Sequence, residues 1–234
     1  STLFLDGIRF PNGILPWKKG VLVTAAPDIF YAEDTNGDGK ADKREVLFTG
    51  FAEGNQQHRA NGLVLGLDNW VYVANGDSGG VIRSLKASRG VNPPGDSPGG
   101  LPPRLANQQI NIGSMDLRIK PDTGEIDLQA GRTQFGRNRD DWGNWFGSNN
   151  STPLWHYVLA DHSVRRNKHF AAPDGRVHVS VAPGPSPCFP VSRTLPRFND
   201  FNRANRFTSA CSAIVYRDEL FGSQFVGNSR SEEH

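Results

Sequence analysis

Short apolar runs broken by turn residues set the rhythm of this chain. Residues 20–25 (GVLVTA) and 29–33 (IFYAE) flank Ala26, Pro27 and Asp28, and residues 45–51 (EVLFTGF) follow a loop rich in Asp and Gly. Residues 61–67 lead into Asp68 and Asn69, and residues 70–74 (WVYVA) then resume the alternation. That pattern predicts a hairpin on a two-residue turn. Residues 115–120 (MDLRIK), the turn 121–124 and residues 125–129 (EIDLQ) predict a second hairpin. Residues 133–136 and 144–148, on either side of Asp140, Asp141, Trp142 and Gly143, predict a third, with residues 154–159 after it. Helical periodicity is weak throughout, and the residues beyond Gly222 show no pattern.

Two stretches interrupt the strands, at about 84–110 and 164–208. The first is rich in Pro and Gly, the second in Pro and Arg, and both predict long loops within a single domain spanning residues 1–234. Evenly spaced strands with recurring turn chemistry fit a sandwich, a barrel or a propeller. The three hairpins share one form, a strand, a short Asp/Asn/Gly turn and a strand carrying aromatics: LVLGLDNWVYVANGD, LRIKPDTGEIDLQAG and QFGRNRDDWGNWFGS. A unit that recurs every roughly 40–50 residues is the signature of propeller blades. The expectation is an all-β fold of four-stranded blades, with material for three to four of them.

Composition narrows the function classes. The 36% of hydrophobic residues is modest, but 10% aromatics with 14 Phe excludes a disordered chain. No run of 18 apolar residues exists, so no membrane span is expected. A net charge of +2 gives no electrostatic case for nucleic acid. Arg outnumbers Lys by 19 to 7, a preference for forked hydrogen bonds to carboxylates or for ion pairs. Cys188 and Cys211 carry neither haem-attachment nor zinc spacing, and their pairing is left open.

The sharpest motif is Asp34-Thr-Asn36-Gly-Asp38-Gly39-Lys40-Ala-Asp42-Lys-Arg-Glu45. It matches the calcium-loop pattern D-x-[DN]-x-[DN]-G-x5-E at every required position. Ca²⁺ takes six to eight hard oxygens, and a loop turned by Gly39 aims alternate oxygens inward. Asp34, Asn36 and Asp38 would give side-chain oxygen, Lys40 its backbone carbonyl, Asp42 a direct or water-mediated contact, and Glu45 both carboxylate oxygens. The flanks read as strands, so the expectation is a stabilising calcium loop in a β-hairpin rather than a helix–loop–helix sensor. A solvated Asp/Gly turn that binds nothing has the same composition.

Further chemistry gathers at Gln56-Gln57-His58-Arg59-Ala60-Asn61-Gly62, just before a strand. A His beside an Arg at a strand's start can serve as a base facing an anionic cofactor. It can equally be a half-buried His that bonds loop carbonyls. Residues 75–80 (NGDSGG) would make an oxygen-rich turn or an anion-binding nest. Arg132, Arg137, Arg139, Arg165, Arg166, Arg203 and Arg206 recur along the chain; they would converge on a polyanion if blades share one axis, and otherwise make surface ion pairs.

Four phrases carry a resemblance: AAPDIFYAEDTNGDGKADKREVLFTGF, HRANGLVLGLDNWVYVANGDSGG, GRTQFGRNRDDWGNWFGSNNSTPLWHYVL and RFTSACSAIVYRDEL. Together they resemble the membrane-bound dehydrogenase domain of planctomycete-type haem-binding proteins, related to the glucose/sorbosone dehydrogenases that use pyrroloquinoline quinone (PQQ). The resemblance implies a six-bladed β-propeller in full length, a periplasmic or extracellular location, and oxidation of a sugar or other alcohol with PQQ and Ca²⁺. It implies His58 as the base, with Arg59, Asn61, Arg137 and Asn138 against the cofactor. It also implies a cytochrome-type electron acceptor, or self-association through an unclosed propeller edge, because the chain holds only part of such a ring and lacks C-x-x-C-H. The rival expectation is a non-catalytic module that binds carbohydrate or protein and uses calcium only to stiffen a hairpin. A lactonase-type hydrolase ranks last, since it needs a metal on the central axis.

Overall fold

The computed structural model describes residues 2–86, 109–167, 169, 171, 173–179, 207 and 209–233. Cys188, Arg203, Arg206 and most of the two expected loops lie outside the described residues. Among the described residues the regular elements are almost all antiparallel strands. In order they are β1 (Gly13–Trp17), β2 (Gly20–Ala25), β3 (Asp28–Glu33), β4 (Lys43–Phe51), β5 (Asn61–Leu65), β6 (Val71–Ala74), β7 (Gly80–Ser84), β8 (Ile110–Asn111), β9 (Asp116–Lys120) and β10 (Glu125–Gln129). There follow β11 (Asn138–Arg139), β12 (Trp145–Asn149), β13 (Thr152–Tyr157), one helical turn α1 (Asp161–Val164), β14 (Arg176–His178), β15 (Ala210–Val215) and β16 (Ser229–Glu233).

Four sheets result. The first runs β1-β2-β3-β4-β7-β8, the second β10-β9-β6-β5, the third β11-β12-β13-β14, and β15 pairs with β16. The described residues do not close into a barrel or a ring. Three meanders in succession match the expected hairpin rhythm, with one departure: β7 and β8 leave the second meander and extend the first sheet from β4.

Apolar runs on β2 and β3 reflect burial on both faces. One face carries Leu22, Ile29, Tyr31 and Phe48 into a cluster shared with Leu63, Val71, Val73, Leu117, Ile119 and Ile126 of the second sheet. The other face carries Val23, Ala25, Phe30 and Ala32, covered by Leu5 and Ile8 of the N-terminal segment. Alternation on strands therefore sends neighbouring residues of one run into two different clusters.

Three readings from the sequence need correction. The β5–β6 turn is longer than two residues, since Leu65 pairs with Val71 and the Gly66 N–H donates to the Trp70 carbonyl. Asn69 there takes a φ of 61°, a conformation Asn tolerates. Residues 133–136 do not form a strand, because their backbone bonds to neighbouring sheets: Gly76 N–H donates to Thr133 O, and Gln134 N–H to Ser148 O. The stretch 164–208 is not all loop, since β14 falls inside it.

Candidate functional site

The calcium-pattern loop joins β3 to β4. Their ladder ends at the pair Glu33–Lys43, so residues 34–42 make the connection. Gly37 and Gly39 turn it with φ of 83° and 86°, values that suit glycine. Asp34 Oδ1 accepts the N–H of Gly37 at 2.6 Å, and Oδ2 accepts that of Gly39 at 2.8 Å. Asn36 Oδ1 accepts the Asp38 N–H and Asp38 Oδ1 the Lys40 N–H, each at 2.8 Å. These bonds tie four oxygens of three side chains to the loop's own backbone. The Gly39 and Gly37 N–H groups hold the Asp34 carboxyl below its ordinary pKa.

The second half of the motif is disposed differently. Asp42 receives the Thr35 hydroxyl at 2.7 Å and the Thr35 N–H at 2.8 Å, and these bonds likewise lower its pKa. Glu45 does not close the loop. It sits on β4 opposite Tyr31, and its carboxylate lies 3.7 Å from Lys86 Nζ. The ladder pairing fixes its side chain to the sheet face, away from the loop. Among the described residues, no group of three or more His, Cys, Asp or Glu side chains is gathered as a metal set. Asp34, Asn36 and Asp38 thus brace the first half of the loop through backbone N–H groups, and Asp42 holds its base through Thr35.

His58 ends a short 3-10 turn, Gln56–His58, capped by Asn55, whose Oδ1 accepts the Gln57 N–H. Its ring is half-buried, and its Nε2 lies 2.9 Å from Nε2 of the buried Gln134. The Gln134 amide orientation follows from its other bond, in which Oε1 accepts the Asn150 N–H at 3.0 Å. Its Nε2 is therefore the donor, and His58 Nε2 must accept with its lone pair. The resting ring is the neutral Nδ1–H tautomer.

Beneath His58, a polar junction joins the second and third sheets. Asn61 donates to the carbonyls of Arg59 and Gln134 at 2.9 and 2.8 Å, and accepts the Gly136 N–H at 2.7 Å. Glycine is required here: a Cβ on Gly62, whose φ is 64°, would lie 2.5 Å from Gly136 Cα. Asp116 is wholly buried. It accepts the N–H groups of Asn75 and Thr133 at 3.0 and 2.9 Å, and the Thr133 hydroxyl at 2.5 Å. Arg137 Nη1 is 3.4 Å from its Oδ2, and the guanidinium lies 3.8 Å from the centre of the Tyr157 ring. Burial pushes the Asp116 carboxyl's pKa up, while Arg137 and Thr133 pull it back. Burial likewise pushes the Tyr157 phenol up. Tyr72 and Trp145 stack at 3.8 Å beside the junction.

These positions decide what the predicted cofactor residues can do. Arg137 is 4% exposed, between Asp116 and three aromatic rings. Asn138 donates to the Ala213 carbonyl, and Arg59 is 7% exposed and donates to the Glu53 carbonyl under Phe10. Asn61 is committed to three backbone groups. Arg59 Nε and Arg137 Nε have no hydrogen-bond partner, but both side chains are buried under protein, so the four residues as placed do not fit an ionised quinone. Of the described members of the Arg clusters, Arg132 pairs with Asp77, and Arg165 with Asp127 and Asp161. Sequence reasoning missed Asp116, Gln134, Thr133 and Tyr157. The one visible signal was an acidic residue opening the apolar run 115–120.

The chain matches the family described as Domain of unknown function (DUF7133) over residues 1–230. It belongs to that family. No curated protein and no solved structure matches it. The DUF7133 match takes in the Asp34 loop, His58 and the polar junction together. No helix among the described residues of this DUF7133 domain is long and apolar enough to cross a membrane.

Proposed function

We propose that this DUF7133 domain is a non-catalytic binding module, built as an arc of propeller blades and braced by one Ca²⁺ in the residue 34–42 loop. The observation that carries the reading is the commitment of Arg59, Asn61, Arg137 and Asn138 to the contacts that hold the sheets together. The blade reading rests on successive antiparallel meanders whose first strands lie side by side, β1 against β5 and β11 against β15. The calcium reading rests on the side-chain oxygens of Asp34, Asn36 and Asp38, which keep lone pairs for a cation while accepting backbone N–H groups. Export follows from the resemblance alone, and self-association through a free blade edge is a further expectation of an open arc.

Calcium is tested by melting with and without chelator. Ligand linkage raises Tm by an amount that grows with free Ca²⁺. Coincident curves, with no shift for Asp34→Asn, would sink the site.

A second reading keeps the quinone-dependent sugar or alcohol dehydrogenase and its cytochrome-type acceptor. It is favoured by His58, whose ring is half-buried rather than enclosed and whose Nδ1 has no partner among the described residues. As a base, however, His58 would first have to give up Gln134 to free its Nε2 lone pair. Reconstitution with PQQ and Ca²⁺ and assay of dye reduction with several aldoses separates the two readings. Turnover lost in His58→Ala would replace the binding-module reading with the enzyme.

A further inference from the structure

A groove of about 390 Å³ lies between the first sheet and the β9–β10 turn. That volume is in the range of small-ligand sites. Its position follows from register. Tyr31 and Glu33 share one face of β3, and Lys43, Glu45 and Leu47 share one face of β4. The pairs Tyr31–Glu45 and Glu33–Lys43 lay these side chains out as a checkerboard. Trp17, Lys18 and Lys19 from the end of β1, with Lys86 and Asp122, complete the lining.

The chemistry of the lining is unlike the rest of the molecule. Arg outnumbers Lys by 19 to 7 in the chain, yet four lysines and no arginine line this groove. Lysine is a flexible point charge, suited to following an irregular ligand rather than clamping a planar one. Lys18 pairs with Asp122 at 2.5 Å, Lys43 with Glu33 at 3.1 Å and Lys86 with Glu45 at 3.7 Å. Lys19 has no ion-pair partner among the described residues. Most of these groups are partly or well exposed, so the pairs are weak and a ligand can open them at little cost.

We propose that this groove binds a saccharide carrying a single carboxylate, a ligand class that deepens the binding-module reading and rests on it. Three carboxylates interleaved with four ammoniums present both acceptors and donors, which match sugar hydroxyls that donate and accept at once. Trp17, only partly buried, supplies aromatic surface for the apolar face of a sugar ring. One surplus ammonium suits one anionic group. The interleaved carboxylates repel a polyanion.

The test is calorimetric titration of the full chain with cellobiouronate, which has one carboxylate, cellobiose, which has none, and a trisulfated heparin disaccharide. Cellobiouronate is expected to bind at least about tenfold more tightly than either of the others. Lys19→Ala and Lys43→Gln, both at exposed positions that leave the fold intact by circular dichroism, each weaken it about tenfold, and Lys120→Ala on β9 leaves it unchanged. Tightest binding of the heparin disaccharide, or no binding of any probe, overturns the proposal. So does cellobiouronate binding that neither groove variant weakens, and that result leaves the binding-module reading standing. Failure of the latter shows separately, as quinone-dependent turnover.

Discussion

Two of the junctions between sheets are made of opposite materials. Between the first and second sheets the contact is dry, with Leu22, Ile29, Phe48, Val71, Leu117 and Ile119 buried together. Between the second and third it is polar, with Asn61, Asp116, Thr133, Gln134 and Arg137 buried and mutually bonded. The dry junction tolerates any side chains of similar volume, because dispersion and burial have no direction. The polar junction tolerates few changes, because most polar groups there are bonded to named partners and losing one leaves a buried group unpaired, which is costly. Residues that looked like a cofactor site are what a wet junction needs to hold two sheets in one register.

The largest effects are expected from breaking each junction once. Phe48→Ala should cost about 3–5 kcal/mol in urea unfolding, with little dependence on pH. Arg137→Met should cost a similar ~3–5 kcal/mol, by leaving Asp116 charged and unpaired. This deficit depends on pH in a defined sense. Burial raises the Asp116 pKa above 3.8, so its contribution is full below 3.8 and is lost as pH rises through the raised value. Without Arg137 that value rises further, so the deficit shrinks on acidification. A pH-independent deficit would mean that the pair is not the cause.

A smaller effect sharpens the contrast. Asp116→Asn in the Arg137→Met background keeps acceptors for Asn75 and Thr133 and removes the stranded charge. The double variant should recover about 1 kcal/mol or more over Arg137→Met alone, and an additive double would argue against coupling. Next, Gln134→Leu should cost about 1–3 kcal/mol by orphaning the Asn150 N–H. It should also release the His58 tautomer, read as a change in the ¹⁵N shifts of the ring. In the unaltered chain those shifts should report Nδ1–H; an Nε2–H signal would reverse the donor assignment.

The smallest effect lies at the exposed loop. Asp34 and Asp42 have lowered pKa values, so whatever order they confer is present above 3.8 and lost as pH falls through the lowered values. Carboxyl ¹³C titration should show both midpoints below 3.8, and Asp34→Asn should abolish one of them. Ordinary midpoints would mean that the loop bonds are not held in solution.

Much of the dry half was legible in the chain. Residues 20–25 form β2 as read, 45–51 fall within β4, and the hairpin of 115–120 and 125–129 appears as β9 and β10. Alternation and turn chemistry are local, so they survive translation into structure. The polar half was not legible. Residues 133–136 read as a strand in the sequence, but they form none: Thr133 O accepts the Gly76 N–H, a partner that only the fold supplies. Glu45 fits a calcium motif by spacing, yet the β3–β4 ladder claims it first.

What the sequence determined by itself is the set of local objects: strands from period-two alternation, turns from Gly, Asn and Asp, and a loop whose side chains accept its own N–H groups because Gly37 and Gly39 permit the turn. What only the tertiary structure decided is which polar groups meet. Hydrophobic burial depends on composition along a strand, but a hydrogen bond depends on the position of its partner. Asp116, Gln134 and Arg137 acquire their roles only when residues far apart in the chain are brought within about 3 Å of one another.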